Sequence, residues 1–491
     1  MKLSLKASLV ALLLATATAN LSAADAGLLN MSEAEMFGGS NKIEVDIRTN
    51  GGGLVSNVYP QVKFGGNLHA WANWGIRRPW ENQTYQWESN TVQAYMQGDL
   101  NLEVRVASGF KVFTEMSLAY SPTGLPDKAT MQPKWEWKAQ TNQVLIGSTE
   151  NGVFSTPVYT NIVITNYVQV WNTNISSNNL LLSMKEFFAD FNIGQVLYWR
   201  LGKQVLTWGR GYFWQPTDLI NIEKFNVVNR DLLREGTYGL RLHIPYKTYF
   251  NLYSFLNLGS TPDFKKYAVS VKAEGRVGPL ELAVSYLGRP YRLPVWGADF
   301  SVGARGWNFY GEAMYALEGQ NDLLKTANVT TNFIPWLQTN LVLPQVYRLS
   351  NDYLKACIGV SKSFGRENKW MFGFEGYYNG EGYTNSGGLS ESNLQPLFQY
   401  GGFLRSMEHG QWYTAAYLTR SELFNKTTTL SLTGVANWSD WSGLLSFSAT
   451  YSPIDYFTVS LRLPFYIGDS NREFTFQNQL APVQLELAYR F

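Results

Sequence analysis

Apolar and polar residues alternate one by one along much of this chain, and the pattern is clearest at its end. From Pro482 onward every second side chain is apolar, at Val483, Leu485, Leu487, Tyr489 and Phe491. A period of two over this length predicts an extended strand with one apolar face and one polar face.

The same alternation recurs in pairs of segments that are joined by turns. Residues 100–106 and 110–118, for example, flank Gly109, a residue that tolerates the positive φ of a tight turn. The pattern predicts about 18 strands, at residues 66–76, 100–106, 110–118, 182–194, 195–208, 238–244, 250–257, 265–275, 279–289, 294–305, 306–317, 352–364, 368–380, 411–422, 427–437, 442–453, 456–468 and 481–491.

Short and long connections alternate between these predicted strands. Short turns fall near residues 108, 194, 246, 276, 306, 366, 425 and 454, and the long segments include 77–92, 122–181, 209–236, 318–351 and 381–410. This asymmetry is typical of bacterial outer-membrane barrels, which have short periplasmic turns and long extracellular loops. Because lipid offers no hydrogen-bond partners, strands that span a membrane must close into a barrel. The sequence therefore predicts an all-β fold, a transmembrane antiparallel up-and-down β-barrel with long extracellular loops.

The N-terminus has the features of an export signal. Lys2 and Lys6 precede a short apolar run at residues 9–14, and small residues follow at Ala23 and Ala24. An N-terminal membrane helix is the alternative, but the run is shorter than the roughly 20 apolar residues that cross a bilayer. We predict a cleaved signal peptide at 1–24, a periplasmic segment or plug element at 25–65, and the barrel at 66–491.

Composition narrows the class of protein further. The chain has one cysteine, Cys357, so no internal disulfide can stabilise it. Charged residues make up 16% of the chain and aromatic residues 15%, whereas soluble domains average about 25% charged residues. A net charge of +2 argues against a strongly basic nucleic-acid surface. A soluble core filled with aromatic side chains is the alternative interpretation.

One segment departs from the repeating hairpins. A G-K-Q-x-x-x-W-G element begins at Gly202, and P-T-D-x-x-N begins at Pro216. Together they resemble the strand-and-loop motif of a large, mostly uncharacterised family of Gram-negative outer-membrane barrels that is related in architecture to alginate-export porins. The matching residues are Gly202, Lys203, Gln204, Trp208, Gly209, Pro216, Asp218 and Asn221, with Lys203 where the family usually has arginine. The resemblance implies the fold and the location.

Inward-facing polar residues are the candidates for transport chemistry. The stretch from residue 209 to 236 is too polar for lipid, and we hypothesise that it folds into the lumen as a constriction, with Arg200 and Arg234 near acidic partners. Two alternatives stay open: the loop has only a structural role, or the wall charges simply pair across strands. The candidate pore-lining and constriction residues are Arg105, Arg200, Gln204, Trp208, Asp218, Asn221, Arg234 and Arg241.

These features favour a porin-like channel for passive diffusion of small polar or anionic solutes across the bacterial outer membrane. The alternative function is an adhesin or receptor with a filled lumen, acting through long loops such as 122–181 and 318–351. No enzyme, metal or cofactor motif is found, with only His69, His243 and His409 as histidines. The expected partners are outer-membrane lipids, small polar solutes and the outer-membrane assembly machinery. The machinery would recognise Tyr489 and Phe491 as an assembly signal.

Overall fold

The computed structural model describes most of the chain beyond residue 60. The described residues are 61–77, 86–107, 109–122, 130–151, 154–174, 179–193, 196–218, 220, 236–247, 249–259, 264, 267–334, 337–392, 394–400, 403–424, 427–476 and 480–491. The predicted signal peptide and most of the segment 25–65 lie outside these residues, and the first strand begins at Gln61.

The described residues form twenty-two strands and a few short helices. The strands are β1 (Gln61–Arg77), β2 (Gln86–Ala107), β3 (Phe110–Tyr120), β4 (Thr130–Asn151), β5 (Phe154–Asn174), β6 (Leu180–Ile193), β7 (Leu197–Gln204), β8 (Thr237–Tyr246), β9 (Phe250–Asn257), β10 (Ala268–Val277), β11 (Leu280–Gly288), β12 (Val295–Ala304), β13 (Trp307–Ala316), β14 (Leu323–Ile334), β15 (Leu337–Tyr347), β16 (Tyr353–Phe364), β17 (Trp370–Asn379), β18 (Trp412–Ser421), β19 (Thr428–Asn437), β20 (Ser442–Ile454), β21 (Phe457–Ile467) and β22 (Leu480–Arg490). The helices are α1 (Gln395–Tyr400), the single turn α2 (Glu473–Phe476) and a 3-10 turn at Arg366–Asn368.

Eighteen of the strands form one closed antiparallel sheet. Each strand is paired with the next one along the chain, except that β3 pairs with β6 and β13 pairs with β16. The barrel closes where β1 pairs with β22, in a ladder from Asn67↔Arg490 to Arg77↔Leu480. The backbone of Phe491 extends this ladder through hydrogen bonds to Gly66, with N···O distances of 2.9 and 3.0 Å. The predicted 18-stranded barrel is confirmed, and its closure leaves no unpaired sheet edge.

The remaining four strands form two hairpins that do not join the barrel sheet. Within the part of the chain that the structure describes, β4 pairs only with β5, and β14 only with β15. They lie within the segments 122–181 and 318–351, which the sequence predicts as long loops without assigned strands. At 21 and 22 residues, β5 and β4 are much longer than the nine to eleven residues that a membrane strand needs.

The two faces of the barrel wall differ sharply in chemistry. Outward side chains such as Val284 and Ile358 are apolar and 62% and 66% exposed, which suits contact with lipid. Their neighbours on the inner face include the buried polar residues Ser285, Asp299, Glu312, Lys355 and Glu375. Among the described residues, no helix is long and apolar enough to cross a membrane.

Strand β7 ends earlier than predicted, at Gln204 rather than at residue 208. Gly202 has φ 132°, which interrupts the regular alternation of side chains. Simple alternation would place Lys203 in the lipid-facing row. It is instead buried, and its Nζ donates a hydrogen bond of 2.6 Å to the carbonyl oxygen of Met184.

Candidate functional site: a loop on the inner wall

Beyond β7, residues 205–218 run along the inside of the barrel wall, and we call this segment the inner loop. It contacts inward-facing residues of eight of the eighteen barrel strands. These strands are β9 to β13 and β16 to β18. Since these strands make up nearly half of the barrel, the inner loop covers the inner face of a large part of the wall.

The root of the inner loop is held by apolar packing. Leu206 and Trp208 form a buried cluster with Ile220 and with Phe255 of β9, and Phe255 is fully buried. Gly209 follows with φ 132°, a conformation that glycine adopts at little cost. The chain can therefore turn at this position and continue along the wall.

Arg210 joins the inner loop to three adjacent wall strands. Its guanidinium is 2.5 Å from Asp299 of β12, 2.6 Å from Glu281 of β11 and 3.5 Å from Glu274 of β10. Lys272 of β10 also contacts Asp299, at 2.9 Å. Three carboxylates and two cations thus meet where the inner loop passes these strands.

Glu312 of β13 binds the backbone of the inner loop. One carboxylate oxygen accepts hydrogen bonds from the amides of Arg210 and Gly211, the second of these at 2.5 Å. The other oxygen accepts from the Thr217 amide at 3.1 Å and from the Thr217 hydroxyl at 2.6 Å. The carboxylate therefore ties together the outgoing and returning arms of the inner loop.

Glu375 of β17 binds the tip of the inner loop in the same way. It accepts hydrogen bonds from the amides of Tyr212, Phe213 and Trp214, at 2.8 Å for Phe213 and 3.3 Å for Trp214. The hydroxyl of Tyr310 donates a further bond of 2.7 Å. Three amides of the tip and one wall hydroxyl thus donate to a single buried carboxyl group, which fixes the position of the tip.

Aromatic packing completes the attachment of the tip. The ring of Trp214 stacks on Tyr377 of β17, with 5.2 Å between centroids, and lies 5.7 Å from Tyr413 of β18. Tyr212 lies 4.6 Å from Tyr417 of β18. These rings belong to the largest buried apolar cluster of the described residues. The tip is therefore both hydrogen-bonded and packed.

The connection between β17 and β18, which we call the folded cover, contacts this tip. Its residues Leu389, Leu394, Leu397 and Phe398 are almost fully buried in a small core of their own with Leu324 of β14. The indole nitrogen of Trp214 donates a 2.8 Å hydrogen bond to the Met407 carbonyl in this connection. The inner loop and the cover are thus joined directly.

A second buried carboxylate network fixes the connection between β21 and β22. Glu473 of α2 accepts hydrogen bonds from the Tyr413 hydroxyl at 2.6 Å and the Asn437 side chain at 2.7 Å. Its own amide donates to Asp440 at 2.7 Å, and the His409 amide approaches it at 3.4 Å. Burial, which outweighs these hydrogen bonds, raises the pKa of Glu473 to about 8.

This raised pKa predicts that the stability of the fold declines as the pH rises from about 4.3 to about 8. A carboxyl whose folded pKa is about 8 stabilises the fold below its unfolded value of about 4.3, and this stability is lost as the pH rises through 8. We expect the urea midpoint of the refolded protein to fall between about pH 5 and about pH 9. Glu473→Gln, which cannot ionise, is expected to remove this part of the decline.

The exposed Glu367 provides a matched control for that measurement. Its side chain is 61% exposed and pairs with Lys369 in the β16–β17 turn. Glu367→Gln is expected to leave the fall of the urea midpoint between about pH 5 and about pH 9 unchanged, since exposed ion pairs contribute little to stability. An equal decline in wild type and Glu473→Gln would show that Glu473 is not the group responsible.

The structure separates the predicted site residues into different surroundings. Arg105 and Arg200 form ion pairs on the inner wall, with Glu103 at 2.8 Å and with Asp190 at 2.6 Å. Arg241 lies beside Arg200 in the β7–β8 register, with its guanidinium 6.0 Å from the Tyr253 ring. These residues occupy the wall from β2 to β8, away from the strands that the inner loop covers.

Other predicted residues belong to the inner loop and its root. Gln204 and Trp208 are buried, the first donating to the carbonyls of Arg200 and Gly239 at 3.4 and 3.3 Å, and Trp208 packing on Phe255. The Asp218 amide donates to the Gln215 carbonyl at 3.0 Å. Asn221 and Arg234 lie outside the described residues. Tyr489 and Phe491 lie at the seam of the barrel.

Sequence reasoning missed the three residues that hold the inner loop, Arg210, Glu312 and Glu375. The alternation of the sequence places Glu312 and Glu375 on the inward face of their strands, but it does not show that they bind the inner loop. They bind mostly backbone amides, which have no sequence signature. The available signal was a carboxylate in the middle of an otherwise apolar strand, where burial without a partner is costly.

Several solved barrels are weakly similar to this chain. OccK1 (OpdK) of Pseudomonas aeruginosa matches with a TM-score of 0.46 and 8% identity, over 88% of this chain and 98% of that chain. OccK8 (OprE) of the same organism matches with 0.46 and 8%, over 88% and 98%, and OccAB3 of Acinetobacter baumannii with 0.43 and 9%, over 87% and 99%. No protein-family model and no curated protein matches.

Proposed function

We propose that this protein is an outer-membrane channel for the passive diffusion of small polar or anionic solutes. The observation that carries the proposal is the inner loop, bound by wall carboxylates so that it narrows the lumen of a closed barrel. A barrel of 18 strands is wide enough for an aqueous lumen, and a fixed loop inside it limits the size of the solutes that pass.

The charges of the inner wall support a preference for polar solutes over a strict ion filter. Cations and carboxylates alternate from β2 to β8, where Arg105, Lys111 and Arg200 pair with Glu103 and Asp190. An even mixture of both signs binds polar groups without excluding either ion completely.

Location and assembly follow from the same proposal. An apolar outer belt and an even number of antiparallel strands suit the bacterial outer membrane, and the N-terminal residues 1–24 would direct export and be removed. The C-terminal aromatics Tyr489 and Phe491 would be recognised by the assembly machinery. The G-K-Q-x-x-x-W-G and P-T-D-x-x-N elements support membership of the barrel family that they resemble.

Conductance and swelling measurements test the channel. We expect protein refolded into planar bilayers to give stepwise ion conductance, and liposomes that contain it to swell in small sugars but not in large ones. The heat-denatured protein serves as the control. An absence of conductance and of swelling from correctly folded protein would contradict the proposal.

The folded cover between β17 and β18 favours one second candidate, an adhesin or receptor with a filled lumen. Its almost fully buried leucine core is unusual for a connection whose only task is to link two strands. That function predicts a folded barrel that does not conduct, so the bilayer experiment separates the two candidates.

A further inference from the structure

We propose that Arg210 sets the charge preference of the lumen, because it offsets part of the negative charge of an acidic strip of the wall that would otherwise attract more cations. This inference rests on the proposed channel function and assigns its ion preference to one side chain. Arg210 acts as a residue that determines specificity, carried into the lumen by the inner loop.

The acidic strip consists of Glu274, Glu281 and Asp299 on the adjacent strands β10, β11 and β12. The side chains of Glu274 and Glu281 are 27% and 34% exposed, so solvent and ions reach them, whereas Asp299 is fully buried. Among the residues that the structure describes, Arg210 is the one side chain that contacts all three, with its Nη2, Nη1 and Nε atoms respectively.

The two cations at this strip, Arg210 and Lys272, offset two of its three carboxylates. Lys272 contacts Asp299 at 2.9 Å, and its side chain is 8% exposed. It therefore offsets the buried carboxylate, and Arg210 offsets one of the two accessible ones. Removing the guanidinium leaves Glu274 and Glu281 facing the lumen, and a local negative charge raises the concentration of cations and lowers that of anions.

The position of the inner loop does not depend on the Arg210 side chain alone. Its backbone is held by Glu312 and Glu375, and its tip packs on Tyr377 and Tyr417. The charge of residue 210 can therefore be changed while most of the attachment of the loop is kept. Variants of residue 210 can therefore distinguish a role of Arg210 in ion selectivity from a role in anchoring the inner loop.

The experiment measures the reversal potential of the refolded full-length protein in planar bilayers under a KCl gradient. For Arg210→Gln we expect the ratio of potassium to chloride permeability to rise at least about twofold, the effect of one unit charge roughly 8 Å from the ions in water. Arg210→Lys keeps the charge but loses the forked contacts with three carboxylates. We expect it to retain the wild-type ratio.

A double variant and a control make the test specific. Arg210→Gln with Glu281→Gln restores the wild-type net charge of the strip without restoring the ion pair. We expect it to bring the ratio of potassium to chloride permeability back toward wild type. Arg366→Gln makes the same chemical change in an exposed turn and is expected to leave the ratio unchanged.

Two results would overturn the inference. An unchanged ratio in Arg210→Gln would remove the role in charge preference. A ratio in Arg210→Lys equal to that of Arg210→Gln, with no recovery in the double variant, would show that Arg210 is only an anchor. Wild-type protein that folds but does not conduct would instead contradict the channel function itself, which distinguishes the two failures.

Discussion

Replacing Glu375 with alanine is expected to release the tip of the inner loop and to turn a steady single-channel current into one that fluctuates between levels. Three backbone amides, those of Tyr212, Phe213 and Trp214, lose their acceptor in a buried site. Each buried donor without a partner costs about 1–3 kcal/mol, so the tip moves to find other partners. Single-channel recordings at constant voltage measure the effect.

Two further variants show whether the carboxylate itself is responsible. Glu375→Gln keeps the size of the side chain and one good acceptor, so we expect smaller fluctuations than in Glu375→Ala. Glu367→Ala removes a carboxylate from an exposed turn and is expected to give a steady current, as in wild type. A steady current of unchanged size in Glu375→Ala would mean that this carboxylate does not hold the loop.

Placing an arginine at Ile358 is expected to destabilise the barrel strongly. Ile358 lies in the middle of β16, points away from the lumen and is 66% exposed. An arginine that faces lipid at the bilayer midplane costs about 2–4 kcal/mol. The urea midpoint of protein refolded into lipid vesicles should fall accordingly.

Val277 provides the matched comparison for this variant. It is also exposed, at 75%, but it lies at the end of β10 beside the β10–β11 turn. Arginine near the membrane interface costs only about 0–1 kcal/mol, so Val277→Arg is expected to shift the midpoint much less. Equal shifts for the two variants would contradict the assignment of the apolar belt as the surface that faces lipid.

The strands of the barrel could be predicted from the sequence because the residue types within each strand depend on what its two faces contact. Lipid on one side and a polar lumen on the other produce an alternation that is visible within a single segment, as in 279–289 and β11 (Leu280–Gly288). The registers with neighbouring strands then follow from chain order and short turns. This is why all 18 predicted segments coincide with barrel strands.

The inner loop and the extra hairpins could not be predicted in the same way. Glu312 is about a hundred residues from the amides that it binds, and nothing in its local sequence names those partners. The segment 153–171 has strong β propensity, which agrees with β5 (Phe154–Asn174). Propensity does not show which strand is the partner, and β5 pairs with β4 outside the barrel sheet.

The one cysteine of the chain can test whether the inner loop lies against the lumen side of the wall. Cys357 points inward from β16, is 4% exposed, and donates a 3.3 Å hydrogen bond from its Sγ atom to the Trp214 carbonyl in the loop tip. The loop therefore covers the thiol from the lumen.

The most direct measurement is the rate at which a charged, membrane-impermeant maleimide labels Cys357 in the folded protein. We expect slow labelling in wild type, fast labelling in Glu375→Ala and fast labelling of the unfolded protein in urea. Labelling of folded wild type at the rate of the unfolded chain would contradict this position of the inner loop, because the thiol would then be open to water and not covered by the inner loop.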